Sequence, residues 1–309
     1  MGHKREPGEL GNNFEKLART ICKTESERKR LRECLVEGNC ASPALIWRKS
    51  RPETSPFEVH QPLTWQPNFI DRLLENQRAG KHELHEAGAY YCLDFSSVLE
   101  ISAVLAIKKP IARIIDVCSS PGGKAAFLAS LFSPEEFICN ETIGKRLGPL
   151  VANIRRCGIN AQVTNADAAV LSQHWKSAFD LVVVDAPCSG QSLLAKGEQA
   201  QACFHPVTLN KNANRQRRLI ASAGEVVCKD GYLAFMTCTY SLDENEETVA
   251  WFLKKNPDGC FTPVLKIKNT KLPHLAGVFT CSFLRRLYLQ IRAQEGFFKM
   301  DSSQGPNAP

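Results

Sequence analysis

The sequence predicts an α/β protein, with a mostly parallel sheet covered by helices on both faces and a small α-rich unit in front of it. Three observations carry that expectation. From Gly88 onward, short β-branched apolar runs alternate with helical patterns, as repeated βα units do. One run, Leu181 to Val184, is apolar throughout, which suits a strand buried on both faces. Two strand patterns close the chain, Arg285 to Ile291 and Gly296 to Met300, and their pairing would add an antiparallel edge.

The chain has 309 residues, enough for one large or two modest domains. Residues 1–85 read as the N-terminal unit, 86–300 as the α/β domain and 301–309 as a polar tail. A charged helical pattern runs from Phe14 to Val36, and Gly38-Asn39 is a plausible stop. Ser42 to Pro67 holds five prolines and reads as extended connections, with Trp47 and Trp65 packed beneath. Phe69 to Ala79 fits a short helix. Helices are expected over Val98–Ala106, Gly123–Phe132, Arg146–Cys157, Asn212–Cys228 and Asn245–Lys255. Strands are expected over Ile111–Val117, Phe137–Asn140, Ala161–Asn165, Leu181–Val184 and Tyr232–Met236.

Composition narrows the class. Thirteen cysteines, an odd number with no CxxC pair, argue against a disulfide framework or a zinc site and for reduced thiols. His82 and His85 form HxxH without acidic or cysteine partners at ligand spacing, so no metal is expected. No apolar run is long enough to span a membrane, and the first residues lack the apolar core of a signal peptide. A cytoplasmic setting is expected. The formal net charge of +7 suits a polyanionic partner.

The candidate site lies at strand ends. Leu181–Val184 runs into Asp185-Ala186-Pro187-Cys188, and Pro187 cannot donate to a ladder, so the strand stops there. An acid and a thiol therefore sit at the carboxyl end of a central strand, where ligands of open α/β sheets bind. Cys118-Ser119-Ser120-Pro121-Gly122-Gly123-Lys124 joins the first strand to its helix. Gly122 and Gly123 allow close backbone approach, and the free N–H groups of the helix start attract anionic parts of a ligand. The pattern is neither GxGxxG nor a P-loop, which disfavours a phosphate site; a tight structural turn is the plainer reading. Glu141 and Asp167 end the next two strands. An acid at the first position commonly accepts from ribose hydroxyls, and Asp167 suits an adenine amino group. Either alone could be a capping acid. Three acids on three strand ends, Glu141, Asp167 and Asp185, fit an adenosine ligand without phosphates.

These motifs resemble a known family. CSSPGGK (118–124), NETIGKR (140–146), DAPCSG (185–190) and TCTYSLDENE (237–246) are similar to those of RNA cytosine-C5 methyltransferases of the NOL1/NOP2/Sun group, which includes the bacterial 16S rRNA enzymes. GAYYCLDFSS (88–97) and GFFKM (296–300) resemble the family's first motif and last strand. The resemblance implies a Rossmann-like S-adenosylmethionine-dependent methyltransferase with a seven-stranded sheet and one antiparallel strand. It implies S-adenosylmethionine as cofactor, bound by Cys118, Ser119, Ser120, Pro121, Gly122, Gly123, Lys124, Glu141, Asp167 and Asp185. It gives Arg146 a packing or ion-pair role.

The resemblance also assigns the chemistry. C5 of cytosine becomes nucleophilic once a thiolate adds to C6. Cys238 is the implied nucleophile, Cys188 the helper in product release, and Asp185 the partner of cytosine N3. A free thiol is only a few per cent thiolate at neutral pH, and Lys124 is expected to lower its pKa. Departures are Ala125 for Thr or Ser, Ser119-Ser120 for Ala-Ala, Gln191-Ser192 after DAPCSG, and Leu242 for Pro. None removes a group the chemistry needs. The implied partner is RNA, ribosomal first and transfer RNA second, met by a monomer. Lys211, Arg215, Arg217 and Arg218 are candidates to hold its phosphates, with a solvated helix face as the plain alternative. A ribosome assembly factor that keeps the pocket without catalysis is the alternative function. A methyltransferase for small molecules or proteins is a third, and it has no use for two cysteines.

Overall fold

The computed structural model describes residues 10–38, 43–200, 202–257, 261–267 and 287–293. The expected strand at 296–300 and the tail at 301–309 lie outside the described residues. Among the described residues no helix is long and apolar enough to cross a membrane.

The helix expected over Phe14–Val36 is two helices, α1 (Gly11–Ile21) and α2 (Glu25–Glu37). Thr24 causes the break. Its hydroxyl accepts from Glu27 N (3.2 Å), and Glu27 Oε2 accepts from Thr24 N (3.1 Å), a capping box that starts a new helix. Gly38 ends α2 in the left-handed region, φ 64°. Cys34 in α2 is disulfide-bonded, which corrects the expectation of a free thiol there. An odd cysteine count argues against a framework of bridges but does not exclude a single one.

Strands β1 (Pro43–Trp47), β2 (Ile70–Arg72) and β3 (Tyr90–Asp94) form an antiparallel sheet in the order β2-β1-β3, with the short helix α3 (Glu83–Glu86) before β3. Two expectations change here. Ile70–Arg72 is a strand rather than the start of a helix, because it pairs with Ala44–Ile46. A boundary after residue 85 would cut this sheet, since β1 pairs with β3 along its whole length. The tryptophans pack as expected, Trp47 against Tyr90 and Trp65 against Phe95.

The main unit then alternates α4 (Phe95–Ile101), β4 (Arg113–Asp116), α5 (Gly123–Phe132), β5 (Glu136–Asn140), α6 (Gly144–Arg156), β6 (Gln162–Thr164), α7 (Ala168–His174), β7 (Phe179–Asp185), α8 (Pro206–Val226), β8 (Val227–Met236) and α9 (Glu246–Lys255). It closes with β9 (Phe261–Ile267) and β10 (Leu287–Ala293). The seven-stranded sheet has the order β6-β5-β4-β7-β8-β10-β9. Strands β4 to β8 are parallel neighbours, and β10 runs antiparallel to both β8 and β9. The closing pair therefore joins 261–267 to 287–293 rather than two adjacent segments. Helix α7 was not anticipated.

The central strands read as unbroken apolar runs because both faces are covered. Ile114, Leu181, Val183 and Ala234 join one core with Phe95, Val98, Ala126 and Phe127 from α4 and α5. Ile115, Val182, Val184, Leu233 and Phe235 join the other with Ile220, Ala223, Val249 and Phe252 from α8 and α9. Each such buried side chain contributes roughly 1.5–3 kcal/mol of transfer free energy. Helices α1 and α2 make a third cluster, Phe14, Leu31 and Leu35 against Leu194, Phe204 and Tyr240. They are seated by two glycines: a Cβ on Gly38 would lie 2.8 Å from Gly197 Cα.

Candidate active site

The carboxyl edge of the sheet carries the predicted residues, and Asn140 holds that edge together. Fully buried at the end of β5, it donates to Val117 O and Ala166 O (both 3.0 Å) and accepts from Ala166 N and Thr164 Oγ1. The loops after β4, β5 and β6 are thereby tied to one side chain. Glu141 follows it. One carboxylate oxygen accepts from Ile143 N (2.9 Å); the other, Oε2, is buried with no hydrogen bond, and Arg146 Nη1 lies 3.3 Å away. Arg146 also donates to Ser120 O (2.6 Å), while Ser120 Oγ donates to Arg146 O, so its ion-pair role holds.

The turn from β4 to α5 runs through both glycines. Gly122 is needed for its conformation, φ 107°. Gly123 packs closely, a Cβ there lying 2.7 Å from the Leu93 side chain and 3.1 Å from that of Tyr91. The second glycine thus also serves contact with β3. Ser119 and Ser120 are buried, Pro121 is exposed, and Cys118 is partly exposed. Burial, reinforced by Asp116, pushes the Cys118 thiol well above its ordinary range, so it stays protonated. Burial likewise pushes Asp116 up to about 7. Asp167 caps α7, its Oδ1 accepting from Ala169 N (3.0 Å). The structure thus gives it the capping role that the sequence left open.

Cys188 and Cys238 come together through the sheet. Strands β7 and β8 are parallel, with Asp185 opposite Met236. Three residues beyond one and two beyond the other, the two Sγ atoms lie 3.1 Å apart. Both are free thiols. Cys238's sulfur as neighbour, then burial, raises the Cys188 pKa well above the usual range.

Residues that sequence reasoning left without a role fix this geometry. Glu244 accepts from Ser189 N (2.9 Å), Ser189 Oγ (2.6 Å) and Gln216 Nε2 (3.0 Å). Gln216 Nε2 also donates to Pro187 O. Asn245 donates to Thr239 O and Ser241 O and accepts from Thr237 Oγ1. Together they clamp the loop carrying Cys188 to the loop carrying Cys238. Gln191 has a matching task, accepting from Tyr240 N and donating to Cys203 O. Glu244 and Asn245 stood in the motif 237–246, and Gln191 was noted only as a departure.

Lys124, at the start of α5, donates to Asp185 Oδ2 (2.6 Å) and lies 3.2 Å from Glu100 Oε2. Burial works to lower its pKa, but Asp185 and Glu100 outweigh it, and the net shift is upward. Its charge is held between the two carboxylates. Glu100 was missed. It is buried in α4, and burial raises its pKa. Its one signal in the sequence was a lone acid inside the apolar run Val98–Ala106.

The basic stretch of α8 divides. Lys211, Arg215 and Arg218 are exposed at helical spacing on one face. Arg217 lies off that stripe, part-buried, and its charge acts on Glu247. Arg215 faces the site closely enough for its charge to act on Cys118.

A sheet of this order, with one reversed strand and acids along its carboxyl edge, is a Rossmann-like architecture. The family model described as 16S rRNA methyltransferase RsmB/F matches residues 103–301, and the chain belongs to that family. Among curated relatives, ribosomal RNA small subunit methyltransferase F of Cronobacter sakazakii is 34% identical over 242 residues, 77% of this chain and 50% of that protein. The chain spans about half the length of the curated relatives it matches. Two crystal structures share the fold. PH0851 has a TM-score of 0.73 at 18% identity, covering 94% of this chain and 69% of that one. NSun6 from Pyrococcus horikoshii with SFG has a TM-score of 0.56 at 24% identity, covering 71% and 57%.

Proposed function

We propose that this protein transfers a methyl group from S-adenosylmethionine to C5 of a cytosine in RNA, with small-subunit ribosomal RNA as the substrate class. The carrying observation is the pair of sulfurs, Cys188 and Cys238, 3.1 Å apart beside Asp185 and Lys124. A methyltransferase acting on an already nucleophilic atom needs no thiol, and a pair of them suits attack and release.

The residues around the first turn fit the cofactor. Glu141 Oε2 is a buried carboxylate oxygen without a hydrogen bond, suited to a ribose hydroxyl, and Gly122 turns Cys118–Lys124 beside it. Asp167 and Asp185 stand on the same edge. Bound there, the cofactor supplies an electrophilic methyl group.

Cys238 is the nucleophile, as the resemblance of TCTYSLDENE (237–246) to the family's motif implies, with Cys188 Sγ 3.1 Å from it. Its thiolate forms a bond to C6, and the electron pair moves to C5. N3 takes up a proton delivered through Asp185, which Lys124 positions, and gives it back by the same route when the ring is restored. Directed polar groups of this kind commonly supply the largest part of rate acceleration. The C5 electron pair then forms a bond to the methyl carbon, and the bond from that carbon to the sulfonium sulfur breaks with its electrons staying on sulfur. A base removes the C5 proton, the C6–S bond breaks with its electrons returning to sulfur, and Cys188 supplies a proton to the departing thiolate. A cytosine within a helix is out of reach, so the target must be unpaired or flipped. Lys211, Arg215 and Arg218 offer phosphate contacts.

The test is methyl transfer from labelled S-adenosylmethionine to a 16S rRNA transcript and to small ribosomal subunits, followed by digestion to nucleosides. Label in 5-methylcytidine is expected. Label in another nucleoside, or in protein, would contradict the proposal.

A further inference from the structure

A cluster of cations without acids lies away from the sheet's carboxyl edge. A cavity of about 610 Å³ opens between the end of β1 and the C-terminal end of α5, lined among others by Arg48, Lys49, Arg51, Asn68, Ser130 and Ser133. Its lining holds three cations and no carboxylate. Arg51 is partly neutralised, 3.1 Å from Asp71. Arg48 and Lys49 have no acidic partner among the described residues. Arg48 donates to Ser130 Oγ (2.8 Å), but its Nε is buried with no hydrogen bond. Lys49 is exposed and reaches only Ala87 O (2.6 Å).

A plain structural role explains part of this. The C-terminal carbonyls of α5 attract cations, and Arg48 sits against that end. One cation is enough for that task. It does not explain why Lys49 and Arg51 line the same cavity, nor why a half-buried guanidinium keeps an unused donor. Burial without an anion holds the Arg48 pKa below its ordinary value, so an anion in the cavity would relieve a cost the protein already carries.

Position matters as much as charge. Lys124 lies at the first turn of α5 and Ser130 near its last. At ~1.5 Å per residue the cavity is roughly a helix length, on the order of 10–15 Å, from the Lys124–Asp185 pair. That is a span of only a few nucleotides. The proline-rich segment and β1 thus bring their charge to a place that a strand leaving the active site can reach.

We infer that the Arg48–Lys49–Arg51 cavity is a phosphodiester-binding subsite for the RNA flanking the target base. The inference rests on the RNA reading above. Its role is to hold register, since phosphate contacts position without reading sequence.

The test is filter binding of a 16S rRNA transcript across a salt series, with wild type, Lys49→Glu, Arg48→Gln and Arg48→Lys. Each lost cation is expected to weaken binding about fivefold at moderate salt and to shallow the slope of log affinity on log salt by about 1. Arg48→Lys is expected to keep the slope. Affinity for S-adenosylmethionine and thermal unfolding report on folding, and Lys49, being exposed, is the safe position. Wild-type binding with unchanged affinity and slope in Lys49→Glu and Arg48→Gln would overturn the subsite and leave the methyltransferase reading intact. Failure of wild type to bind RNA would overturn the subsite too. Failure of wild type to transfer methyl groups while the variants still lose binding would support the subsite and count against the methyltransferase reading alone.

Discussion

Cys188 Sγ lies 3.1 Å from Cys238 Sγ, although the residues are 50 positions apart. The register of β7 on β8 brings them close, and the Glu244 clamp holds the loops that carry them. At that distance one thiol can pass a proton to the other, which is what separate roles in attack and release require.

The clamp can be tested on its own. Glu244→Ala leaves Ser189 N, Ser189 Oγ and Gln216 Nε2 without their buried acceptor. A loss on the order of 2–4 kcal/mol in denaturant unfolding is expected, with kcat falling at least tenfold and S-adenosylmethionine affinity little changed. Glu244→Gln keeps an acceptor and is expected to lie between.

Lys124 compensates the buried carboxylate of Glu100 and the part-buried one of Asp185. Lys124→Met is expected to destabilise by roughly 3–5 kcal/mol, since it leaves buried charge unpaired. Adding Glu100→Met is expected to restore part of that stability but not activity. Equilibrium unfolding of the single and double variants, with a methyl-transfer assay, checks both.

Asp116 makes stability fall as pH rises. Its folded-state pKa, about 7, lies above that of an unfolded aspartate, ~3.9. The folded state therefore holds the proton longer, and stability present below about pH 4 is lost as pH climbs to about 7. At ~1.4 kcal/mol per pH unit the whole effect is on the order of 4 kcal/mol. Asp116→Asn is expected to remove that slope, so the difference in Tm from wild type should change between pH 4 and 7 and level off above. Parallel melting curves would contradict it.

Gly38 seats the N-terminal helices. Gly38→Ala places a side chain at φ 64° and a Cβ 2.8 Å from Gly197 Cα. A cost of about 1–3 kcal/mol is expected, seen as a lower Tm, while Gly144→Ala, whose Cβ meets nothing within 4 Å, is expected to be neutral or better.

How much was legible depended on how local the cause was. Helix α5 runs from Gly123 to Phe132 as its sequence indicates, because the turn before it and the apolar run within it are local. Strand β7 was legible because burial on both faces leaves an unalternated run. The segment after Phe69 was not, because its strand exists only through pairing with β1. The partner of β10 lies 20 residues or more upstream, a pairing that hairpin patterns do not reveal. At the site, the acids and cysteines were visible as strand-end residues. What holds them was not: Asn140, Gln191 and Glu244 act through buried hydrogen bonds across loops, and a lone polar residue in a sequence looks the same whether buried or exposed.

The central claim is that Cys238 attacks and Cys188 releases, and trapping tests it most directly. Wild type, Cys188→Ala and Cys238→Ala are each incubated with ribosomal RNA and S-adenosylmethionine, then run on a denaturing gel. Cys188→Ala is expected to accumulate an RNase-sensitive protein–RNA adduct, and Cys238→Ala to form none. An adduct in Cys238→Ala but not in Cys188→Ala, or in neither, would contradict the assignment.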